Sequence, residues 1–304
     1  MSAEGFRKVA FVGIGNMGWP MAARLVGAGF DVAVHDIAPG RAERFAAEVG
    51  GSAPANVEAA VRDADAVVTI LPTSRHVESL LTPLIGTFAA GAIVVDMTSG
   101  VPSVTQSLAA RLADAGYAMI DAPVSGGVSR AKAGELAIMT GGAAQDVQRA
   151  MPLLRQMGTT VTEVGGIGAG QAMKALNNLV SAGGFLIGVE ALIIGQRFGL
   201  DAGKMVDVLN ASTGMNNSTQ KKFRQFVLSR AFNSNFGLDL LAKDLGIALE
   251  VANDGGVAVP FSSLCRELWS AAAAALGHGK DHTEMARFSE MMAGIELRET
   301  GVPE

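Results

Sequence analysis

The sequence has little cysteine and few aromatic residues. Cys265 is the only cysteine among 304 residues, so no disulfide can form within one chain. A lone thiol suits a reducing compartment, which favours a cytoplasmic location. Cys265 has no neighbouring base or motif, and we interpret it as a packed thiol. Aromatic residues make up only 5 % of the chain, so its core must be built from aliphatic side chains and Met.

An excess of positive charge and an uninterrupted apolar run are also missing. The net charge of −5 and a pI near 5.5 give no basic face for nucleic acid. The most apolar stretch, Leu179–Gly195, contains Ser181, Glu190 and several glycines. A membrane span needs about 20 apolar residues with few charges, so we expect a buried helix here and no membrane partner. The N-terminal segment has no apolar stretch typical of a signal peptide.

The first half of the chain alternates β-rich runs with amphipathic stretches. The β-rich runs are apolar throughout, as in strands buried on both faces of a parallel sheet: Val9–Val12, Val32–His35, Ala66–Ile70 and Ile93–Asp96. The stretches between them have helical periodicity: Met17–Ala28, Arg41–Val49 and Val104–Ala115. This alternation predicts a doubly wound α/β domain with a parallel sheet.

Strand signals cease after about Gly170, and helical patterns continue to the end of the chain. They are broken near Gly199, Gly214, Asn233 and Gly255. The glycine-rich segment 165–170 separates the two regions. We therefore predict an α/β domain over residues 1–165 and an all-helical domain over 166–304. A long helix of about residues 168–197 is expected to join them.

A glycine motif follows the first predicted strand. Gly13-Ile14-Gly15-Asn16-Met17-Gly18 has the spacing G-x-G-x-x-G between a strand and a helix. The first glycine permits a tight turn, the second lets a pyrophosphate approach the backbone, and the third lets helix and strand pack closely. The alternative is that the glycines only shape a turn. In this context the motif predicts a Rossmann-type dinucleotide site.

The acidic residue that such a site requires is Asp36, at the end of the second predicted strand. Its carboxylate can accept hydrogen bonds from the adenosine ribose diol and would repel a 2′-phosphate. Asp36 therefore predicts NAD in preference to NADP. Arg41 lies close by in sequence and could weaken that preference.

Two further segments contain residues suited to substrate binding or proton transfer. Ser125-Gly126-Gly127 ends a strand and could cradle a carboxylate with a hydroxyl and open backbone N–H groups, or could be a structural turn. Lys174 and Asn178 lie four residues apart and share one face of a helix. Burial of Lys174 would favour its neutral amine and make it useful for proton transfer, whereas a snorkelling surface lysine is the alternative.

The sequence resembles the β-hydroxyacid dehydrogenase family, which includes 3-hydroxyisobutyrate dehydrogenases and tartronate semialdehyde reductases. The resemblance covers nearly the whole chain and rests on four segments in family order, namely Gly13–Ala22, Asp121–Gly127, Lys174–Asn178 and Asp239–Leu245. It implies that Lys174 is the catalytic acid/base and that Asn178 with Ser125, Gly126 and Gly127 binds a small carboxylate-bearing substrate. It also implies a homodimer or homotetramer and no metal.

The resemblance also implies cofactor-binding positions outside the glycine motif. Lys243 matches a family lysine that reaches the cofactor, and two loops edge its nicotinamide side, Leu71-Pro72 and Thr98-Ser99. Thr73 and His76 are further expected cofactor-binding residues. There are two departures. Asp96-Met97-Thr98-Ser99 exchanges the order of the two hydroxyl residues found in many relatives, and His76 stands where 3-hydroxyisobutyrate dehydrogenases often have Asn.

The expected reaction is the NAD-dependent oxidation of 3-hydroxyisobutyrate or a close analogue. A tartronate semialdehyde reductase or another sugar-acid or semialdehyde reductase is the alternative within the family, and imine reduction is more distant. A nucleotide-binding module without catalysis is the alternative from another class. Lys174, Asn178 and Lys243 together argue against that module, because a silent scaffold has no physical need for them.

The remaining polar features have simpler interpretations. His278 and His282 are four residues apart, but Gly279 lies between them and no other metal-ligand pattern accompanies them. Lys221, Lys222 and Arg224 are interpreted as a solvated helix face. The polar turn 216–218 either caps a helix or lines the distal part of a substrate pocket.

Overall fold

A computed structural model describes residues 7–299 of the chain. The fold separates into two compact units, the first ending at Lys174 and the second beginning at Ala175. The predicted domain boundary between residues 165 and 166 stays a prediction.

The first unit is built around one sheet. Its strands are β1 (Lys8–Val12), β2 (Asp31–His35), β3 (Ala66–Thr69), β4 (Ile93–Asp96), β5 (Ala118–Asp121), β6 (Val124–Ser125), β7 (Leu136–Gly141) and β8 (Gly158–Gly165). Its helices are α1 (Gly18–Gly27), α2 (Arg41–Glu48), α3 (Val57–Val61), α4 (Ser74–Leu81), α5 (Pro102–Asp114), α6 (Gly127–Ala133) and α7 (Ala144–Met157). A 3-10 turn, Thr82–Leu84, follows α4.

The sheet has the order β2-β1-β3-β4-β5-β7-β6, and β8 pairs with β7. The first five strands in this order are parallel, and for β1 to β4 their continuous apolar runs predicted this. The strand β7 is antiparallel to β5 and β6 and parallel to β8. The sheet is therefore mainly parallel, but β7 and β8 run in the opposite direction to the other six strands, a feature that the sequence analysis did not predict.

Both faces of the central strands are buried, which explains their lack of polar alternation. One face contributes Phe11, Val68 and Val95 to a core that includes Met21 and Leu25 of α1. The opposite face contributes to a second core, with these members among others: Ala10, Val67, Val94, Leu81, Leu108 and Leu112. Helices on both faces of a mainly parallel sheet make this unit a Rossmann-type doubly wound domain, as predicted.

The second unit is helical, and the long helix α8 (Ala169–Phe198) leads into it, close to the predicted 168–197. It continues with α9 (Ala202–Asn210), α10 (Asn217–Lys221), a π-helical turn (Phe223–Leu228), α11 (Leu238–Asp254), α12 (Pro260–Leu276), a 3-10 turn (His282–Glu284) and α13 (Met285–Ala293). Phe185 and Val189 of α8 pack in a core with Phe223 and Trp269.

The helix α8 is long and apolar enough to cross a membrane by length and composition, and 56 % of its most apolar segment is buried within the protein. Its side chains Phe185, Val189 and Leu192 belong to the core of the helical unit. We therefore interpret α8 as a core helix of a soluble fold.

Candidate active site

The glycine motif forms the turn between β1 and α1. Gly13 has φ +92°, and a Cβ atom there would lie 2.4 Å from the carbonyl oxygen of Ile70. A Cβ atom on Gly18 would lie 1.9 Å from the carbonyl oxygen of Gly13, so only glycine allows α1 to begin this close to the strand. Space within 4 Å of a Cβ atom on Gly15 is open. The loop therefore fits a dinucleotide, with an unobstructed backbone where a pyrophosphate approaches.

Asp36 follows β2 and folds back onto the glycine loop. Its carboxylate accepts hydrogen bonds from the N–H of Ile14 at 2.9 Å and of Ala38 at 2.9 Å. Nη1 of Arg41 lies 3.1 Å from the same carboxylate, whose side chain is only 6 % exposed. The carboxylate is thereby fixed beside the turn that the cofactor would occupy, and Arg41 partly neutralises its charge.

We expect Asp36→Ser to reduce kcat/KM for NAD about 10- to 100-fold and to raise the relative efficiency with NADP. The substitution removes a charge-assisted acceptor for the ribose diol and frees Arg41 to face a 2′-phosphate. The measurement is kcat/KM with each cofactor. Asp31→Ser, at the exposed opposite end of β2, is the matched control. An unchanged NAD to NADP ratio in Asp36→Ser would show that this carboxylate does not select the cofactor.

The loops after β3 and β4 are tied together by hydrogen bonds. Oγ1 of Thr98, which is fully buried, accepts a hydrogen bond from the N–H of Leu71 at 3.0 Å. Thr73 caps α4, and its hydroxyl lies 2.7 Å from Nδ1 of His76. Pro72 and His76 are exposed, and Ser99 is half-buried. The predicted nicotinamide-edging residues therefore form two adjacent loops at the carboxyl ends of parallel strands, where doubly wound folds bind ligands.

Asp96, the last residue of β4, holds the loop that follows this strand. Its carboxylate accepts hydrogen bonds from the hydroxyl of Thr69 at 2.9 Å and from the N–H of Thr98 at 3.0 Å. Nε2 of Gln171 lies 3.2 Å from the other carboxylate oxygen. Burial raises the pKa of Asp96 from 3.8 to about 6, against the opposing effect of these hydrogen bonds.

This raised pKa predicts a pH dependence of stability. Between pH ~4 and ~6 the folded protein keeps a proton on Asp96 that the unfolded chain has released, so the free energy of unfolding should fall as pH rises through that interval. Asp96→Asn should reduce this change in the free energy of unfolding by about 2–3 kcal/mol. A smaller slope should remain from Asp121, because burial also raises the pKa of that carboxyl group. Urea unfolding from pH 4 to pH 7 measures it.

The exposed acid Asp63 provides the control for this measurement. Asp63→Asn should leave the slope of the wild-type protein unchanged, because this side chain lies at the surface, outside the buried hydrogen-bond network of Asp96. Equal slopes in Asp96→Asn and the wild type would contradict the assignment of the effect to Asp96.

The Ser125-Gly126-Gly127 turn joins β6 to α6. Gly126 and Gly127 have φ values of +137° and +68°, which strongly favour glycine. Both glycines are exposed and Ser125 is half-buried. The turn therefore leaves a hydroxyl and open backbone accessible within the first unit, as the carboxylate-cradle interpretation requires.

Asp121, the last residue of β5, holds the start of α8. Its carboxylate accepts hydrogen bonds from the N–H of Gly168 at 2.6 Å and of Gln171 at 2.8 Å. A Cβ atom on Gly170 would lie 2.4 Å from the carbonyl oxygen of Met139, so the chain passes close to the sheet here. A carboxylate at a helix N-terminus satisfies N–H groups that lack helical partners. Asp121 thereby fixes the first turn of the helix that contains Lys174.

Lys174 and Asn178 are buried on α8, with 8 % and 7 % of their surface exposed. This excludes the snorkelling surface lysine as an interpretation of Lys174. Nδ2 of Asn178 donates to Oδ2 of Asp244 at 2.6 Å, and Nδ2 of Asn177 donates to Oδ1 of Asn178 at 3.2 Å. The ammonium of Lys243 lies 3.3 Å from the other oxygen of Asp244. The amide of Asn178 is thus fixed on both sides.

Several residues that organise the site have no role in the sequence interpretation. Asp244 orients Asn178 and pairs with Lys243, Asp121 fixes α8, and Gln171 reaches Asp96 from the first turn of α8. Asp121 and Asp244 lie within the quoted family segments, but a motif does not reveal which partners a carboxylate has. Gln171 precedes Lys174 by three residues, and this helical spacing was the one feature of the sequence that could have indicated a role for Gln171 near the site.

The prediction that Lys222 lies on a solvated helix face is wrong. Its ammonium donates to Oγ of Ser181 at 3.1 Å and lies 5.9 Å from the centre of the Phe185 ring. The charge run concealed this, because Lys221 is exposed and Arg224 pairs with Asp207 at the surface. Lys222 lies at the junction between α10 and the π-helical turn, where its φ of −127° and ψ of −45° depart from the helical geometry of its neighbours.

The structure also shows the environments of the polar turn at Asn216, of the two histidines and of the cysteine. Asn216 caps α10 in a capping box with Thr219, and its Nδ2 also donates to the carbonyl of Gly184 at 3.3 Å. The side chain of His278 is fully exposed, whereas His282 is buried against Trp269. Cys265 is buried, and burial raises the pKa of its thiol. The thiol therefore packs in the helical core, as predicted.

Comparison with known proteins matches both halves of the chain to families. Residues 8–166 match the NAD binding domain of 6-phosphogluconate dehydrogenase, and residues 168–289 match a family described as the NAD-binding of NADP-dependent 3-hydroxyisobutyrate dehydrogenase. With the glycine loop and Asp36, these matches define an NAD(P)-dependent oxidoreductase.

Individual relatives narrow the class. The chain is 33 % identical to 2-(hydroxymethyl)glutarate dehydrogenase of Eubacterium barkeri, over 95 % of this chain and 97 % of that protein. It is 34 % identical to 3-sulfolactaldehyde reductase of Escherichia coli, over 95 % and 98 %. The structure of 3-hydroxyisobutyrate dehydrogenase of Mycobacterium tuberculosis with L-serine superposes with a TM-score of 0.87 at 32 % identity, covering 93 % of this chain and 99 % of that one. The chain belongs to the β-hydroxyacid dehydrogenase family.

Proposed function

We propose that this NAD-dependent β-hydroxyacid dehydrogenase oxidises 3-hydroxyisobutyrate or a close analogue, with Lys174 as its acid/base. The observation that carries the proposal is the burial of Lys174 and Asn178 on one face of α8, with Asn178 fixed by Asp244. The amine of Lys174 and the amide of Asn178 lie one turn apart on α8, so the two side chains together can position a substrate hydroxyl for proton transfer.

In this proposal the cofactor, Lys174 and Asn178 each have a separate role in the reaction. Bound NAD supplies the hydride acceptor in oxidation, and its reduced form supplies the hydride donor in the reverse direction. Lys174 in its neutral form takes the proton from the substrate hydroxyl, and its ammonium returns a proton to the carbonyl oxygen in reduction. The amide of Asn178 orients the same hydroxyl, because its hydrogen bonds to Asp244 and Asn177 prevent rotation.

The substrate carboxylate is assigned to Ser125, Gly126 and Gly127. The half-buried hydroxyl and the open backbone of the two glycines offer donors to an anion. Lys243 is assigned to the cofactor, and its pairing with Asp244 couples its position to that of Asn178. NAD is the proposed cofactor in preference to NADP, because the fixed carboxylate of Asp36 would repel a 2′-phosphate.

The protein is also proposed to be cytoplasmic and to form a homodimer or homotetramer. An exposed apolar stripe supports self-association, since these side chains recur at intervals of seven residues along α8: Val180 at 76 %, Ile187 at 56 % and Ile194 at 69 % exposure. Phe198 extends the stripe at 84 % exposure. Light scattering during gel filtration measures the oligomeric state, and a monomer at micromolar concentration would contradict this assignment.

The test of the proposed activity is a panel of small β-hydroxy acids incubated with the purified protein and NAD or NADP, following reduced nicotinamide. The panel contains both 3-hydroxyisobutyrate enantiomers, 3-hydroxypropionate, serine, glycerate, threonate and 2,3-dihydroxypropanesulfonate. Turnover with NAD supports the proposal and identifies the preferred substrate. Binding of NADH without turnover of any member would instead favour a nucleotide-binding module.

A further inference from the structure

Lys222 is a half-buried cation in the helical unit that the proposed reaction does not use. Its ammonium donates to Oγ of Ser181, and burial lowers the pKa of Lys222 to about 8, so most of the protein has a charged Lys222 at pH 7. Within residues 7–299 no carboxylate forms an ion pair with this ammonium, and Asp281 acts on it at longer range. An ammonium has three donors, and Ser181 accepts from one.

The groups around Lys222 do not supply a compensating anion at close range. The carboxylate of Asp281 accepts from the hydroxyl of Ser234 at 2.8 Å and from the N–H of Thr283 at 2.9 Å. Burial and the charge of Lys222 lower the pKa of His282 to about 4, so its imidazole is neutral at pH 7. Lys222 is therefore a cation whose nearest acid is engaged elsewhere.

Lys222 contacts a particular face of α8. Lys174, Asn178 and Ser181 are spaced four and three residues apart, so they follow one stripe of the helix. At a rise of 1.5 Å per residue, Ser181 lies about 4–5 Å beyond Asn178 and about 10 Å beyond Lys174 along the helix axis. Lys222 reaches this stripe at Ser181, about one turn past the amide proposed to orient the substrate hydroxyl.

We propose that Lys222 is a specificity-determining residue that binds a second anionic group of the substrate, about one turn of α8 past the amide of Asn178. Among the close analogues of 3-hydroxyisobutyrate, the preferred substrate is then a β-hydroxy acid with two negative charges, the second being a carboxylate, sulfonate or phosphate at the end of a short chain. This inference rests on the proposed function, because the roles of Lys174 and Asn178 define which stripe of α8 faces the substrate. The hydroxyl of Ser181 is a second donor for the same anion.

Equilibrium binding tests the inference without requiring turnover. Titration calorimetry in the presence of NAD compares glutarate with pentanoate, which has the same chain length and one carboxylate fewer. The wild-type protein is expected to bind glutarate at least about 10-fold more tightly, since a hydrogen bond to a charged group is worth this much. Lys222→Met should abolish the preference, and Lys222→Arg should retain most of it because the charge remains.

Lys221→Met is the matched control, because it removes one positive charge from the adjacent, exposed residue. It should retain the glutarate preference of the wild-type protein. A wild-type protein that does not distinguish glutarate from pentanoate, or a Lys222→Met variant that keeps the preference, would overturn the inference. In further arms, tighter binding of 3-sulfopropanoate or 3-phosphonopropanoate than of glutarate would support the proposal and identify the second group as a sulfonate or a phosphate-like anion.

Kinetics separates this inference from the proposed activity. For 2-(hydroxymethyl)glutarate relative to 3-hydroxyisobutyrate, the ratio of kcat/KM should fall about 10- to 100-fold in Lys222→Met, mainly through KM. Turnover of 3-hydroxyisobutyrate without any preference for dianions would contradict the proposed role of Lys222 but would still support the proposed dehydrogenase activity. Dianion binding that depends on Lys222, without turnover of any substrate, would support the anion site and contradict the dehydrogenase assignment.

Discussion

Replacement of Lys174 with alanine is expected to lower kcat by about 10²- to 10⁴-fold while leaving the affinity for NADH unchanged. The reason is that the proton on the substrate hydroxyl then has no positioned acceptor as hydride leaves the carbon. The side chain is buried on α8 beside the fixed amide of Asn178, so water in bulk cannot easily replace it. Steady-state kinetics gives kcat, and fluorescence titration gives the affinity for NADH.

Two variants make this measurement specific. Lys174→Arg keeps a positive charge but cannot give up its proton at neutral pH, so it should remain as inactive as Lys174→Ala. Lys204→Ala removes an exposed lysine of α9 and should retain wild-type activity. Turnover of Lys174→Ala within a few-fold of the wild type would remove Lys174 from the mechanism, and recovery of activity in Lys174→Arg would indicate an electrostatic role instead.

Asp121→Ala is expected to destabilise the first unit by about 2–4 kcal/mol, lowering Tm by about 5–10 °C. The substitution leaves the N–H groups of Gly168 and Gln171 without their carboxylate acceptor in a buried position. Burial raises the pKa of Asp121, so the carboxylate itself is costly to bury and the net loss is smaller than two complete hydrogen bonds. Thermal unfolding measured by circular dichroism tests this.

The same substitution should also lower activity at temperatures where the variant is fully folded. Gln171 lies one turn before Lys174, and a loosened first turn of α8 displaces the proposed acid/base from its position. Asp121→Asn keeps one acceptor oxygen and should lie between the wild type and Asp121→Ala in Tm. Asp114→Ala, at an exposed position of α5, is the control. Equal Tm values for Asp121→Ala and this control would contradict a role of Asp121 in holding α8.

The elements that could be predicted from sequence are those whose causes are local. The glycine spacing Gly13–Gly18 requires a tight turn between a strand and a helix, and the structure has that turn. The apolar runs that become β1 to β4 need burial on both faces, which only a parallel sheet covered by helices provides. Lys174 and Asn178 share a face because they are four residues apart on one helix.

Predictions failed where a contact between distant residues decides the environment. Lys222 resembles its charged neighbours in sequence, but it is half-buried and contacts Ser181 and Phe185 of α8. The reversed strands β7 and β8 pair with each other, and β7 also pairs antiparallel with β5 and β6, an orientation that hydrophobic periodicity does not reveal.

The doubly wound nucleotide-binding domain, the long helix α8, the helical second unit and the family could all be predicted from the amino-acid sequence. Glycine spacing and hydrophobic periodicity are relations between residues that are close along the chain, so the sequence alone reveals them. Which carboxylates support the site became clear from the three-dimensional structure alone. Asp121 reaches Gln171 across 50 residues and Asp244 reaches Asn178 across 66, and the packing that brings such pairs together follows from the whole fold.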